Sequence, residues 1–305
     1  MSVKENIIEH CSNFFTEMGV CENCTEVYPF TCRYNDCQKK CISCLNRMYR
    51  ENQVEYDWCS NLRYAYVLKY FFAHRAELQK LLDINRHKIS KHIVGWNNRS
   101  IKVCSFGPGP GTDYAGYIEF LVNGGGHHQF EFSRVEKELK WQEQYDFIKD
   151  CYKDKLQEYR INCEEDNFHV FDLNEINSWD ISLDIVFFSY VLSELAHSDI
   201  DNSGLKLFWS WFKDSLNTNS IIILNDRNER RLRNYFNIFI GLVETEFPNS
   251  YYNNYYFETD NLEEFGERHQ ISSWCGESIP DDIRNVFESK TTCRSCQSII
   301  FVNKE

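Results

Sequence analysis

From about residue 100 onward the chain alternates short, nearly unbroken apolar runs with longer stretches of helical spacing. The runs are IKVCSF (101–106), HQFEFS (128–133), FHVFDL (168–173), LDIVFFSYV (183–191), SIIILND (220–226) and QSIIFVN (297–303). Helix-like segments separate them at about 112–123, 134–159, 203–216 and 227–246. Runs as apolar as LDIVFFSYV and SIIILND suit strands covered on both faces. Strands alternating with helices need crossover connections, so the sheet is expected to be mostly parallel. Residues 100–305 are therefore expected to form a doubly wound, three-layer α/β domain. Upstream, NLRYAYVLKYFFAHRAELQKLL puts Leu62, Tyr66, Tyr70, Ala73, Leu78 and Leu81 at helical spacing with no Gly or Pro, so 51–99 reads as a helical cap. Residues 1–50 are polar and rich in cysteine, and read as a separate small module.

The first run leads into SFGPGPGTD (105–113), a turn that opens a helix. Gly107 and Gly109 are expected at positive φ, where the lack of a side chain lets main chain press against a ligand. Gly111 is expected to let the helix pack close to the strand, and Pro108 and Pro110 stiffen the loop. Thr112 and Asp113 suit a first helical turn, where free N–H groups collect. The spacing is G-x-G-x-G, which departs from the G-x-G-x-x-G of dinucleotide-binding folds and disfavours a nicotinamide dehydrogenase.

SFGPGPGTD resembles motif I of the class I S-adenosylmethionine-dependent methyltransferases, and the resemblance covers roughly residues 100–303. It implies the same sheet architecture and S-adenosylmethionine as cofactor. The family places an acid at the end of the first strand, where this chain has Ser105; Asp113 is the candidate to replace it beside the cofactor amine. The ribose-binding acid after the second strand maps to Glu136, with Glu138 as competitor, and the adenine-side acid after the third maps to Asp172. DIVFFSYVLSEL resembles the segment under the methionine end, with Ser189 and Tyr190 at its carboxyl end. The implied cofactor-binding set is Ser105, Phe106, Gly107, Pro108, Gly109, Gly111, Asp113, Glu136, Asp172, Leu173, Ser189 and Tyr190.

Methyl transfer is an in-line displacement helped mainly by alignment, so no obligatory catalytic side chain follows from the sequence. Tyr190 is the candidate for positioning the acceptor; Tyr64 and Tyr66 are candidates to cap the cofactor or to pack the core. Arg227, Arg230, Arg231 and Arg233 form the densest basic patch, suited to an anionic substrate or simply to a solvated helix face.

Seven of the 14 cysteines lie in the first 50 residues. Cys21-x2-Cys24 and Cys41-x2-Cys44, separated by 16 residues, match a four-cysteine structural zinc site. Cys32, Cys37, Cys293 and Cys296 could form a second site that clips the start of the chain to its last strands. Cys37-x3-Cys41-x2-Cys44 also resembles the iron–sulfur motif of radical S-adenosylmethionine enzymes, but no strand precedes it and the glycine turn would go unexplained.

A net charge of −13 disfavours nucleic-acid backbones and anionic membranes as partners. No run reaches the roughly 18 apolar residues of a membrane span, and MSVKENIIEHCSNFF has no long apolar run after a basic patch, so no secretory leader is expected. The chain is expected to be intracellular, in the cytoplasm, with reduced thiols. The expected function is methyl transfer to an unidentified acceptor, a small molecule or basic protein segment rather than nucleic acid. The alternative is an inactive scaffold of the same fold with zinc knuckles for partners.

Overall fold

The computed structural model describes residues 2–17, 60–93, 95–96, 98–124, 129–137, 139–170, 182–192, 203–258, 261–264, 267–270 and 295–305. Helix α1 (Val3–Glu17) is followed by α2 (Ser60–Tyr66), a π-helical turn (Val67–Phe71), α3 (Phe72–Ile84) and α4 (Arg86–His92). Then come β1 (Ile101–Phe106), α5 (Thr112–Gly124), β2 (Gln129–Glu136), a 3-10 turn (Leu139–Trp141), α6 (Gln142–Glu158), β3 (Asn162–Val170) and β4 (Leu183–Ser189). The chain continues through α7 (Ser203–Ser215), β5 (Leu216–Arg227), α8 (Arg230–Glu246), β6 (Tyr251–Glu258), β7 (Asn261–Glu264), β8 (Glu267–Gln270) and β9 (Ser295–Asn303).

The strands form one sheet in the order β3-β2-β1-β4-β5-β9-β6-β7-β8. Strands β1 to β5 pair in parallel, and β9 runs antiparallel between β5 and β6. The period-2 alternation of the central strands explains why both faces are covered. Ile185, Phe187, Ile221, Ile223, Ile299 and Phe301 share a core with α1 to α6. Val186, Phe188, Ile222, Leu224, Ile300 and Val302 share the other with α7 and α8. The expected α/β architecture is present.

The element boundaries differ from expectation in instructive places. Residues 134–136 continue β2 rather than starting a helix, because Arg134 and Val135 pair with Ser105 and Phe106 of β1. Strand β3 starts at Asn162, ahead of the expected 168; its side of the sheet is an outer position, where exposed Asn162, Glu164 and Asn167 carry no apolar signal. Strand β6, YYNNYYFE, lacks alternation and was not foreseen, nor were β7 and β8. The start of the chain is not purely a polar module: Ile7, Ile8 and Cys11 of α1 are buried in the core with Tyr64 and Ile148.

Candidate functional site

At the carboxyl edge of the sheet, β1 passes into the glycine loop. Gly107, Gly109 and Gly111 have φ of 63°, 51° and 90°, a region costly for any residue with a side chain. Gly107 N–H donates to Val135 O (2.8 Å) and Gly111 N–H to Pro108 O (2.9 Å), so main chain bonds close the turn. A Cβ on Gly107 would meet Val191 at 3.1 Å, and one on Gly111 would meet Tyr145 Cδ2 at 2.9 Å. Gly111 thus allows close packing as expected, but against Tyr145 of α6. Gly109 faces the Trp141 ring at ordinary contact distance, 3.8 Å from its Cβ position. Pro108 is buried. Phe106 stacks on Phe188 (centroids 4.8 Å apart) within the α7–α8 core.

Two carboxylates flank this loop and do different things. Glu136, the last residue of β2, accepts from Gly109 N–H (2.9 Å, Oε2) and Lys137 N–H (2.9 Å, Oε1). It ties the loop to the neighbouring strand. Asp113, in the first turn of α5, is buried and accepts from Ser105 Oγ on β1 and Ser189 Oγ on β4, both at 2.5 Å. Burial pushes its carboxyl up from 3.8 to about 6, against the opposing pull of the two hydroxyl donors. The Asp113 carboxylate thus staples the ends of β1 and β4 to one another beneath the loop.

Tyr190 follows β4 with φ 61°, in the left-handed region that a large residue adopts only under constraint. Its N–H donates to Asn225 O (2.7 Å), its hydroxyl donates to Glu77 Oε2 (2.8 Å), and its ring stacks on His74 (centroids 3.8 Å, 17°). His74 stacks in turn on Tyr70 (5.6 Å), which lies beside Tyr66 (5.3 Å), and Tyr66 meets Trp141 edge-on (5.4 Å). The π turn inside the helical run changes the helical phase between Tyr66 and His74, and such turns occur at functional sites. The result is a chain of rings from the glycine loop to the end of β4. Burial holds His74 down to about 3, so its imidazole is neutral across the physiological range. Tyr64 points elsewhere, with its hydroxyl on Glu143 Oε1 (3.0 Å). Of the two cap candidates, only Tyr66 reaches the edge.

The sequence reading missed four residues there. Glu77 and His74 interrupt the apolar stripe of α3, a buried carboxylate and a half-buried imidazole on a face otherwise made of Leu78 and Leu81. Asn225 and Gln297 lie opposite one another in the β5–β9 ladder, one step beyond paired isoleucines. That polar step in an apolar phase was the signal available.

Several expected residues lie outside the described residues: Glu138, Asp172, Leu173, Cys21, Cys24, Cys32, Cys37, Cys41, Cys44 and Cys293. Cys296 is described. It is buried, its Sγ lies 3.4 Å from Arg227 O, and burial pushes its thiol up to about 12. Among the described residues no cluster of three or more His, Cys, Asp or Glu is placed to hold a metal. Arg227 pairs with Glu229 (3.4 Å), and Arg233 donates to Asn228 Oδ1 (2.7 Å). Among the described residues no helix is long and apolar enough to cross a membrane.

Parallel strands in the order 3-2-1-4-5, extended by an antiparallel strand next to β5, form the mostly parallel α/β sheet that the resemblance of the glycine turn implied. No protein-family model matches the chain, and no curated protein matches it. Among solved structures, it is similar to the plantazolicin methyltransferase in complex with S-adenosylhomocysteine, at 10% identity over 97% of this chain and 99% of that one, TM-score 0.41. It is also similar to a precorrin 8w decarboxylase from Methanobacterium thermoautotrophicum (10% identity, 74% and 89% covered, TM-score 0.40). A third is human methyltransferase-like protein 13 with S-adenosylhomocysteine (11% identity, 74% and 82% covered, TM-score 0.36).

Proposed function

We propose that the chain is an S-adenosylmethionine-dependent methyltransferase. The observation that carries this reading is the loop after β1, three glycines in the left-handed region, with the Glu136 carboxylate of the next strand hydrogen-bonded to the loop. The residues fit the adenosine end of that cofactor. Each Glu136 oxygen accepts one main-chain N–H at the loop, and the carboxylate is of the acceptor type that a ribose diol requires. Bound there, the cofactor would supply an electrophilic methyl group on sulfur.

The work left to the protein is alignment. Ser105, Asp113 and Ser189 fix the ends of β1 and β4 relative to one another. Tyr190, held at both its ring and its hydroxyl, is the positioning residue beside the acceptor. The acidic charge of the chain, −13, supports a small molecule or basic protein segment as acceptor over nucleic acid. We assign the cofactor set to the loop and Glu136, with Asp172 and Leu173 carried on the family resemblance. A zinc site at Cys21, Cys24, Cys41 and Cys44 rests on knuckle spacing alone. Metal analysis of the purified chain tests it, with one bound zinc per chain expected.

Calorimetry with S-adenosylhomocysteine tests the central reading. Binding is expected, and Glu136→Gln should weaken it about 10-fold, the loss of one charge-assisted hydrogen bond. No heat and no thermal shift from the wild-type chain would remove the enzyme and leave a scaffold of the same fold.

A further inference from the structure

At the carboxyl edge, on the face that packs against α3, four strands present a row of side chains in register. Ser189 stands beside Asn225, Asn225 opposite Gln297, and Gln297 opposite Tyr255. The two outer members are satisfied: Ser189 Oγ donates to Asp113, and Tyr255 OH donates to Asn85 Oδ1 (2.9 Å). The two inner members are not. Both polar atoms of Asn225 and both of Gln297 are buried without a hydrogen-bond partner, and so is the hydroxyl of Ser295, one step along β9 in the same phase. Each of these residues is 0–1% exposed.

Five unmatched polar atoms in one patch are not random noise in a core. Each buried unpaired group costs free energy, and native proteins keep such groups rarely. The patch lies beside Tyr190, whose strained main chain donates to Asn225 O and whose hydroxyl reaches Glu77 on α3. Cross-strand neighbours have Cβ atoms about 5 Å apart, so one small planar group can engage both amides.

Their chemistry selects the ligand. Two carboxamides offer two acceptor oxygens and two NH2 donors. A cation would satisfy the oxygens and leave the donors unmet. An anion would satisfy the donors but meet the buried carboxylate of Glu77, 0% exposed on the helix that covers this face. A neutral carboxamide or lactam, with an N–H and a C=O on one edge, satisfies both kinds. We infer that Asn225, Gln297 and Ser295 bind a neutral amide group of the methyl acceptor. This rests on the methyltransferase reading for its role, though not for its binding chemistry.

Benzamide and benzoate are shape-matched probes that differ in this feature. On the full chain, with and without saturating S-adenosylhomocysteine, benzamide is expected to raise Tm and to give saturation-transfer NMR signals, and benzoate to do neither. Asn225→Leu and Gln297→Leu remove the unmatched atoms at similar volume. Each should raise Tm by about 2–4 °C without probe, abolish the benzamide response, and leave calorimetric affinity for S-adenosylhomocysteine within about twofold, below the tenfold step that 1.4 kcal/mol represents. Equal responses to the two probes, or none up to the solubility limit, overturn the proposal. So does a fall in Tm in N225L and Q297L, since ordered water would then be the partner of these amides. A benzamide response in a chain that binds no S-adenosylhomocysteine would sink the enzyme reading and keep the site.

Discussion

The two edges of the central sheet are built from similar polar residues and handle them in opposite ways. At the amino edge Asp184 is fully buried and accepts four hydrogen bonds: two from the Arg99 guanidinium (2.7 Å each), one from Lys102 N–H (2.9 Å) and one from Asn217 Nδ2 (2.7 Å). Ser220 there donates to Leu183 O (2.7 Å). At the carboxyl edge Asn225, Gln297 and Ser295 are equally buried and unmatched, Tyr190 is strained, and Asp113 is held at a raised proton affinity. One edge uses polar groups to fasten strands. The other leaves them unmatched, an arrangement that costs stability.

The largest expected effect breaks the fastened edge. Asp184→Ala strips Arg99, Lys102 N–H and Asn217 of their shared acceptor and should destabilise the chain by about 3–5 kcal/mol, measured by urea unfolding. The next sharpens the contrast through pH. An acid whose folded pKa is about 6 against 3.8 takes up protons on folding between those values. Its contribution to stability is therefore full below about pH 4 and falls as pH rises through about 6, by about 3 kcal/mol. In Asp113→Asn that loss should vanish, so variant and wild type diverge from pH 4 to 7, with the variant gaining. A wild type and variant that run parallel over this range would show that Asp113 does not titrate there.

Gly111→Ala puts a methyl 2.9 Å from Tyr145 at φ 90° and should cost about 2 kcal/mol, read as a lower urea midpoint at unchanged slope. The smallest effect is that of Tyr190→Phe. It keeps the stack on His74 and loses the hydrogen bond to Glu77, about 1 kcal/mol, while methyl transfer should fall more than stability does. Equal losses in both would make Tyr190 a packing residue.

Much of this was legible before any coordinates. The central strands declared themselves because burial on both faces demands unbroken runs such as SIIILND. The glycine loop did so because positive φ at 107, 109 and 111 tolerates little else. Glu136 lies beside the loop, bonded to Gly109 N–H, at the end of a strand where the helical spacing from 134 predicts helix. Strand β6 stayed hidden because YYNNYYFE has neither period, and α1 because the cysteines after it dominated the reading of that zone. Asp113 and Ser105 were both singled out, but not as partners, since nothing in a chain of letters states that a hydroxyl on one strand meets a carboxylate eight residues on.

What the sequence by itself determined was local: periodicity, the loop's conformational demand and the order of the strands' apolar faces, all set within a few residues by sterics and hydration. Tertiary structure alone decided which polar residues would find partners. Asp184 and Asn225 are both buried on central strands, yet one is saturated and the other bare. The difference lies in groups brought from up to 85 residues away, Arg99 among them, which reach one edge of the sheet and not the other.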